Sequence, residues 1–370
     1  MQKEDAQSTG SSPWLRFFSK VEVVFDAALY REHIVDRTIL ITGAGGWIGS
    51  ALCASLALRG AKHLILLDLA EGALYEAHRE LAQRSRVRIT AVLGSVCDTV
   101  CLRDVISRYR PQVIYHTAAY KHVPLAEENP FAVLRNNALG TATLAQTAAD
   151  FNVPQFIMVS TDKAVEPAGI MGVSKRIGEL AIFRYNRGGS MRAVRLGNVF
   201  GSPGSVAPLF RMQIERGGPL TLTHPEARRY FLTIGEATEY LQAALAVPRS
   251  SDLLVPNLGA ALRVADLARF MVGDRDVPIV FDGLRPGDKI EEALLAANES
   301  LREQVAGGLD AIESPRPMPQ EVDNALVALE EAIDLRDLDM LLTTVQRLVP
   351  DYTPSSLLRE QLGVNKEALR

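Results

Sequence analysis

The run Ser160-Thr161-Asp162-Lys163 sets two hydroxyls, a carboxylate and an amine in consecutive positions, and Met171 and Lys175 follow shortly after. An apolar run, Phe156 to Val159, precedes it, so a chain leaving a strand here can point these groups into one cleft. Met171 and Lys175 lie four apart and share a face if the segment is helical. The alternative for Thr161-Asp162-Lys163 is a surface turn that caps a helix, because such residues favour caps. The constellation reads as an active site, provided that the rest of the chain supplies a scaffold and a cofactor.

The elements that must position these groups are legible. Thr38 to Ile41 is a short apolar, β-branched run and reads as a buried parallel strand. It ends in Thr42-Gly43-Ala44-Gly45-Gly46-Trp47-Ile48-Gly49, and a helical stretch continues to Leu58. Glycines here let the backbone turn tightly and approach a pyrophosphate, to which the helix N-terminus offers free N–H groups. A second strand, His63 to Leu67, ends at Asp68, about 20 residues past the last glycine, where a carboxylate accepts from a ribose 2′-hydroxyl. Asp68 favours NAD over NADP because it repels a 2′-phosphate; Lys62 or Arg79 nearby would be the compensation that lets NADP bind.

Further strands are expected at Val87–Leu93, Gln112–Tyr115, Phe156–Ser160 and Arg192–Leu196. Asp98 stands where it can either bond the adenine amino group or cap the next helix. Ala118 and Ala119 are small enough for their loop to pass close to a dinucleotide. Lys121, His122, Glu127, Glu128 and Asn129 crowd the loop that follows, and no metal-ligand spacing is present anywhere. The alternation of strands and helices up to Gly201 implies an α/β, Rossmann-type doubly wound parallel sheet.

After Gly201 the pattern changes. A helix is expected from Pro208 to Arg216. Thr221–His224 and Arg228–Phe231 read as short strands around a turn, and Arg285-Pro286-Gly287-Asp288-Lys289 as a turn presenting two cations. Pro315–Pro319 reads as a linker, and Glu321 to Leu348 as two amphipathic helices. The expected organisation is a disordered tail over 1–20, a dinucleotide-binding domain over 21–201, a smaller mixed α/β substrate part over 202–320 interleaved with it, and C-terminal helices over 321–370. The cluster Trp14-Leu15-Arg16-Phe17-Phe18 is expected to pack on the domain, the alternative being a surface anchor.

The chain has 370 residues and a formal net charge of −4, so nothing favours a nucleic-acid or anionic-membrane partner. Cys53, Cys97 and Cys101 read as reduced cytosolic thiols. No apolar run approaches the ~20 residues that span a bilayer, and the expected location is the cytoplasm.

Taken together, the glycine turn, Tyr120-Lys121-His122-Val123-Pro124, Ser160-Thr161-Asp162-Lys163 and Gly197-Asn198-Val199-x-Gly201-Ser202 resemble the extended short-chain dehydrogenase/reductases. Thr223-His224-Pro225, Arg229-Tyr230-Phe231 and Arg285–Lys289 narrow the likeness to the polysaccharide-biosynthesis branch, the nucleoside-diphosphate-sugar 4,6-dehydratases that act on UDP-N-acetylglucosamine. The likeness covers roughly residues 21 to 355. Many members carry N-terminal membrane helices before this unit; none is read here, so the chain is similar to the soluble members or to a soluble catalytic half. Two positions depart from the pattern. Met171 stands where the superfamily usually has the tyrosine that exchanges a proton, which a thioether cannot do, although some members of the branch share the methionine. Ser95 stands where the family often has aspartate.

The resemblance implies an internal redox dehydration with a tightly bound, recycled cofactor: oxidation at C4 of the hexose, loss of the C5 proton and the C6 hydroxyl, then return of hydride to C6. It implies Asp162 as acid and Lys163 as base, with Thr161 on the C4 oxygen and Lys175 on the nicotinamide ribose. Lys163 must then be neutral, and desolvation and Lys175 are expected to lower its pKa. Gly43, Gly45, Gly46, Trp47, Ile48, Gly49, Asp68, Asp98, Ala118, Ala119 and Lys175 form the expected cofactor side. Arg229 and Arg285 are the candidates for the diphosphate, because a guanidinium grips phosphate with two hydrogen bonds. Asn198 is placed on the same group or on the acetamido. Lys121, His122, Asn137, Ser205, Val206, Pro208, Thr223 and Asp288 complete the expected substrate side. The rivals are a sugar-nucleotide 4-epimerase, which needs no C5 base, and a catalytically silent NAD-binding scaffold. C5 inversion or retention and UDP or GDP stay open, and a homo-oligomer is expected.

Overall fold

A computed structural model describes residues 17–18, 26–189 and 191–368; of the expected tail over 1–20, all but Phe17 and Phe18 lie outside them. The chain is built on a nine-stranded sheet. In chain order its strands are β1 (Thr38–Thr42), β2 (His63–Asp68), β3 (Arg88–Leu93), β4 (Val113–His116), β5 (Gln155–Thr161), β6 (Met191–Leu196), β7 (Leu253–Pro256), β8 (Ser300–Ala306) and β9 (Leu309–Glu313). Their spatial order is β8-β9-β7-β6-β5-β4-β1-β2-β3. From β3 across to β7 every pairing is parallel, and β9 and β8 close the edge antiparallel.

The run from β1 through β3 goes one way and β4 returns to the other side of β1. That reversal opens a crevice beyond the C-terminal ends of β1 and β4, where doubly wound sheets bind ligands. The strands are apolar because helices cover both faces of the sheet: Ile39, Ile41, Leu64 and Leu66 are buried on one side, and Leu40, Ile65, Ile114 and Phe156 on the other.

Two helices border the crevice. Helix α1 (Trp47–Leu58) starts at the glycine turn, and α2 (Ile170–Tyr185) starts nine residues past Thr161. A third apolar cluster joins the buried face of α2, including Met171, Val173, Ile177 and Leu180, to the C-terminal helices Pro319–Leu335 and Leu338–Leu348 through Leu329, Leu341 and Val345.

The segments expected to form strands around one turn do not pair with each other. Leu220–Leu222 pairs with Ile279–Phe281, Arg228–Arg229 with Leu262–Arg263, and Phe231–Leu232 with Asn198–Val199. Each is too short to hold a hairpin register by itself, so distant partners decide the pairing. Phe18 is buried and stacks on Phe231 at 5.7 Å, which seats that end of the expected aromatic cluster on the domain. No helix among the described residues is long and apolar enough to cross a membrane.

Candidate active site

The crevice opens into a cavity of about 710 Å³, within the usual range for a small-molecule site. The glycine turn and start of α1 form one wall through Gly46, Trp47, Ile48 and Gly49. The end of β5 and the face of α2 form another through Thr161, Lys163, Met171 and Lys175. Ala119, Lys121, His122, Asn198 and Ser205 complete it.

The glycine wall is built for close approach. Gly43 has φ +68°, and a Cβ there would sit 2.6 Å from the backbone of Ala118; any other residue would push the β4 loop away from the turn. Asp68 at the end of β2 reaches back, one oxygen accepting from Gly45 N at 2.8 Å and the other from Ala70 N at 2.9 Å. A glycine-rich turn, the first N–H groups of α1 and a carboxylate at the neighbouring strand end fit a dinucleotide, with Asp68 for a ribose hydroxyl.

On the opposite wall, Thr161 ends β5 and a short 3-10 turn, Asp162–Ala164, follows. Asp162 is fully buried behind the cavity surface. Its Oδ1 accepts from Lys163 Nζ at 2.9 Å and from Thr161 Oγ1 at 2.9 Å, while Oδ2 has no hydrogen-bond partner. Lys163 Nζ also donates to Asn198 Oδ1 at 2.9 Å. The carboxyl and amine thus meet at the cavity, with the amine in front. A Cβ on Gly172 would lie 2.1 Å from the Lys163 carbonyl, so the lack of a side chain there is what lets α2 run against the turn.

The charge on Lys163 is opposite to expectation. Burial works against the ammonium, but Asp162 and Glu292, with Glu292 Oε1 3.7 Å from Nζ, outweigh it and hold the pKa above the ordinary lysine value. Lys175 does not lower it. Instead Lys175 is itself pushed down to about 8 by burial, opposed by Glu179.

Behind the walls, several groups act as braces. His116 bridges Thr42 Oγ1 and Thr141 Oγ1, each at 2.8 Å; burial and then Lys175 bring its pKa down to about 3, so it is a neutral strut. Ser160 turns its hydroxyl onto Glu179 at 2.6 Å. Asn137 is buried, and its amide accepts from Tyr120 N and donates to Tyr120 O and Ser174 Oγ. It therefore fixes the Tyr120 loop to α2 and does not face the cavity. Glu127 is fully buried and accepts from Ile170 N at 2.6 Å, closing the first turn of α2.

Other expected site residues lie elsewhere. Asp98 caps the helix Thr99–Tyr109 by accepting from Val100 N and Cys101 N, the second of its two readings. Arg229 spends its guanidinium on the carbonyls of Arg228, Lys289 and Ile290. Arg285 is exposed and donates to Asp288 at 2.8 Å. Neither arginine lines the cavity, and neither do Val206, Pro208 and Thr223. Glu292, beside Lys163, was not anticipated. Its only signal was the acidic pair Glu291-Glu292 after the Arg285–Lys289 turn, a pattern that ordinarily marks solvated surface.

This geometry agrees with what the chain is similar to. Residues 39–313 match the family described as "Polysaccharide biosynthesis protein". The chain belongs to that family. It is 42% identical over 293 residues to the capsular polysaccharide biosynthesis protein CapD of Staphylococcus aureus, covering 76% of this chain and 49% of that relative, so it spans about half of the relative's length. Two solved structures share the fold. The dTDP-glucose 4,6-dehydratase DesIV of Streptomyces venezuelae, with NAD bound, has a TM-score of 0.62 at 22% identity, covering 70% of this chain and 88% of that one. A UDP-N-acetylglucosamine 4-epimerase of Methanobrevibacter ruminantium has a TM-score of 0.57 at 21% identity, covering 71% and 91%.

Proposed function

We propose that the chain is an NAD-dependent nucleotide-sugar 4,6-dehydratase acting on UDP-N-acetylglucosamine in polysaccharide biosynthesis. The observation that carries this reading is the Asp162–Lys163 pair at the cavity wall facing the glycine turn. A 4-epimerase moves a hydride at C4 and needs no such pair; a dehydratase must also remove the C5 proton and protonate the leaving C6 oxygen. Bound NAD supplies the acceptance and return of the hydride. Gly46, the first turn of α1 and Asp68 hold it, and Asp68 disfavours a 2′-phosphate.

The chain's own groups handle the protons. Thr161 lines the cavity and donates to Asp162, so it relays the C4 hydroxyl proton: it accepts that proton on Oγ1 and passes its own to Asp162 Oδ1. Lys163, as the free amine, takes the C5 proton. Asp162 returns its proton by the same path to the departing C6 oxygen, and Lys163 returns its own to C5. Asn198 orients Lys163 through its amide oxygen. Met171 contributes shape only.

The test is incubation of the purified protein and NAD with UDP-N-acetylglucosamine in heavy water, followed by mass spectrometry and NMR. The expected product has lost water and carries deuterium at C5. Epimerisation leaves the mass unchanged apart from exchange, and no product from any UDP- or GDP-hexose rejects the reading.

A further inference from the structure

The proton inventory of this site does not close with Asp162 and Lys163 alone. In the cycle above, the C4 proton visits Asp162 and the C5 proton visits Lys163, and each is later returned. The cycle therefore has to begin with a carboxylate at 162 and a free amine at 163. The resting site holds one proton more, because Lys163 is an ammonium between two carboxylates. Lys163 lines the cavity and its side chain is only 22% exposed, so a nucleotide sugar that fills the cavity would shield Nζ from bulk water. The surplus proton then needs an acceptor inside the protein.

We infer that Glu292 is that acceptor: a positioning residue that acts through Lys163, taking its proton when substrate binds and returning it when product leaves. The inference rests on the dehydratase reading. Glu292 is 4% exposed. Its Oε1 lies 3.7 Å from Lys163 Nζ, and its Oε2 is buried with no hydrogen-bond partner. Glu292 and Lys163 also line a second cavity of about 10 Å³, about the size that admits one water molecule. Met171 and Lys163 border both cavities and so form the partition between them. A water there bridges ammonium and carboxylate, and a proton moves from Nζ to the carboxylate along it.

The transfer balances: Lys163 N–H breaks, Glu292 O–H forms, and an ion pair becomes two neutral groups. Drying the site favours this direction because burial penalises both charges. The surrounding charges set the resting state. Lys289 Nζ is 3.8 Å from Oε2 and Arg229 Nε is 4.0 Å from Oε1, so with Lys163 three cations surround this carboxyl group. Asp162, on the other side of Lys163, stays a carboxylate for the C4 proton.

Glu292→Gln keeps the shape and removes the acceptor. With UDP-N-acetylglucosamine, deuterium entry at C5 is expected to fall about 10²-fold at neutral pH. Reduction of NAD in a single turnover is expected to fall about tenfold less than that. The C5 rate should then climb about tenfold per pH unit, because only the fraction of Lys163 already deprotonated before substrate binds can act. A C5 rate equal to or above wild type, or equal losses in both half-reactions with the wild-type pH profile, overturns the inference. If Glu292→Gln does not fold, Lys289→Met carries the test. Losing that cation favours proton transfer from Lys163 to the carboxyl, so deuterium entry at C5 is expected to rise about threefold at neutral pH with NAD reduction unchanged, and a C5 rate that is unmoved or lowered overturns the inference. Wild-type protein that makes no dehydrated product rejects the dehydratase reading itself, which separates that failure from this one.

Discussion

Lys163 and Asp162 meet through one 2.9 Å hydrogen bond, and the site's acid–base capacity depends on where the proton in that bond resides. Replacing Lys163 by alanine removes the proposed C5 base but touches none of the groups on the glycine wall. Turnover is expected to fall by at least about 10³-fold, while NAD binding, followed by calorimetry, stays within a few-fold of wild type. Near-normal turnover removes Lys163 from the base role. Met171 gives the complementary prediction. It is buried at the partition between the two cavities and has no proton to exchange. Met171→Leu conserves volume, so kcat is expected to stay within about threefold of wild type; a hundredfold loss in a normally folded variant would mean that the sulfur does more than fill space.

At the level of elements, α2 is held in place by a buried ionic network. Glu179 on α2 accepts both Arg195 Nε and Nη2 at 2.9 Å, and Arg195 on β6 also donates to Glu299. Ser160 and Arg176 complete the shell around Glu179. Burial by itself would raise the Glu179 pKa; Arg195, then Arg176 and Ser160, bring it down to about 2. A depressed folded-state pKa means that the carboxylate's contribution is fully present above the ordinary value of 4.5 and is lost as pH falls toward 2. Glu179→Gln leaves Arg195 without half of its charge partners, and such buried breaks cost about 3–5 kcal/mol. Urea denaturation at neutral pH should show that loss. The variant should also lose less stability than wild type between pH 4.5 and the acid limit; equal acid sensitivity would assign the acid transition to other groups. His116 adds a second slope of the same sign. Its pKa falls from 6.5 to about 3, so its neutral, doubly bonded state is progressively disfavoured as pH drops below 6.5.

For the molecule as a whole, the C-terminal helices form part of the core on which α2 rests. Leu341 is fully buried in the cluster that contains Met171 and Ile170. Leu341→Ala is expected to cost about 2–5 kcal/mol, measured by chemical denaturation. Because no residue of those helices lines the large cavity, KM should hold and turnover should follow the folded fraction. A raised KM at full folding would show that the cluster sets the cavity's shape as well as its stability.

How much of this was readable in advance follows the range of the interactions involved. Strands β1 to β6, the glycine turn and the Thr161-Asp162-Lys163 run were legible because each is written in consecutive residues: a buried parallel strand is an apolar run, and a tight turn needs glycine where φ is positive. The hairpin of β8 and β9 was missed although Gly307-Gly308, both at positive φ, stand between its strands, a signal for a two-residue turn. The short strands after Gly201 were mispaired because their partners lie tens of residues away.

What the sequence determined by itself was which groups are available and on which elements they ride, since local geometry follows from spacing and side-chain shape. Only the tertiary structure decided their charge and their company. Asp98 and Asn137 became braces, Arg229 was committed to backbone carbonyls, and Glu292, more than a hundred positions along the chain from Lys163, came within 3.7 Å of its amine. Electrostatic energy depends on distance in space and on the loss of water, and neither is recorded in the order of residues.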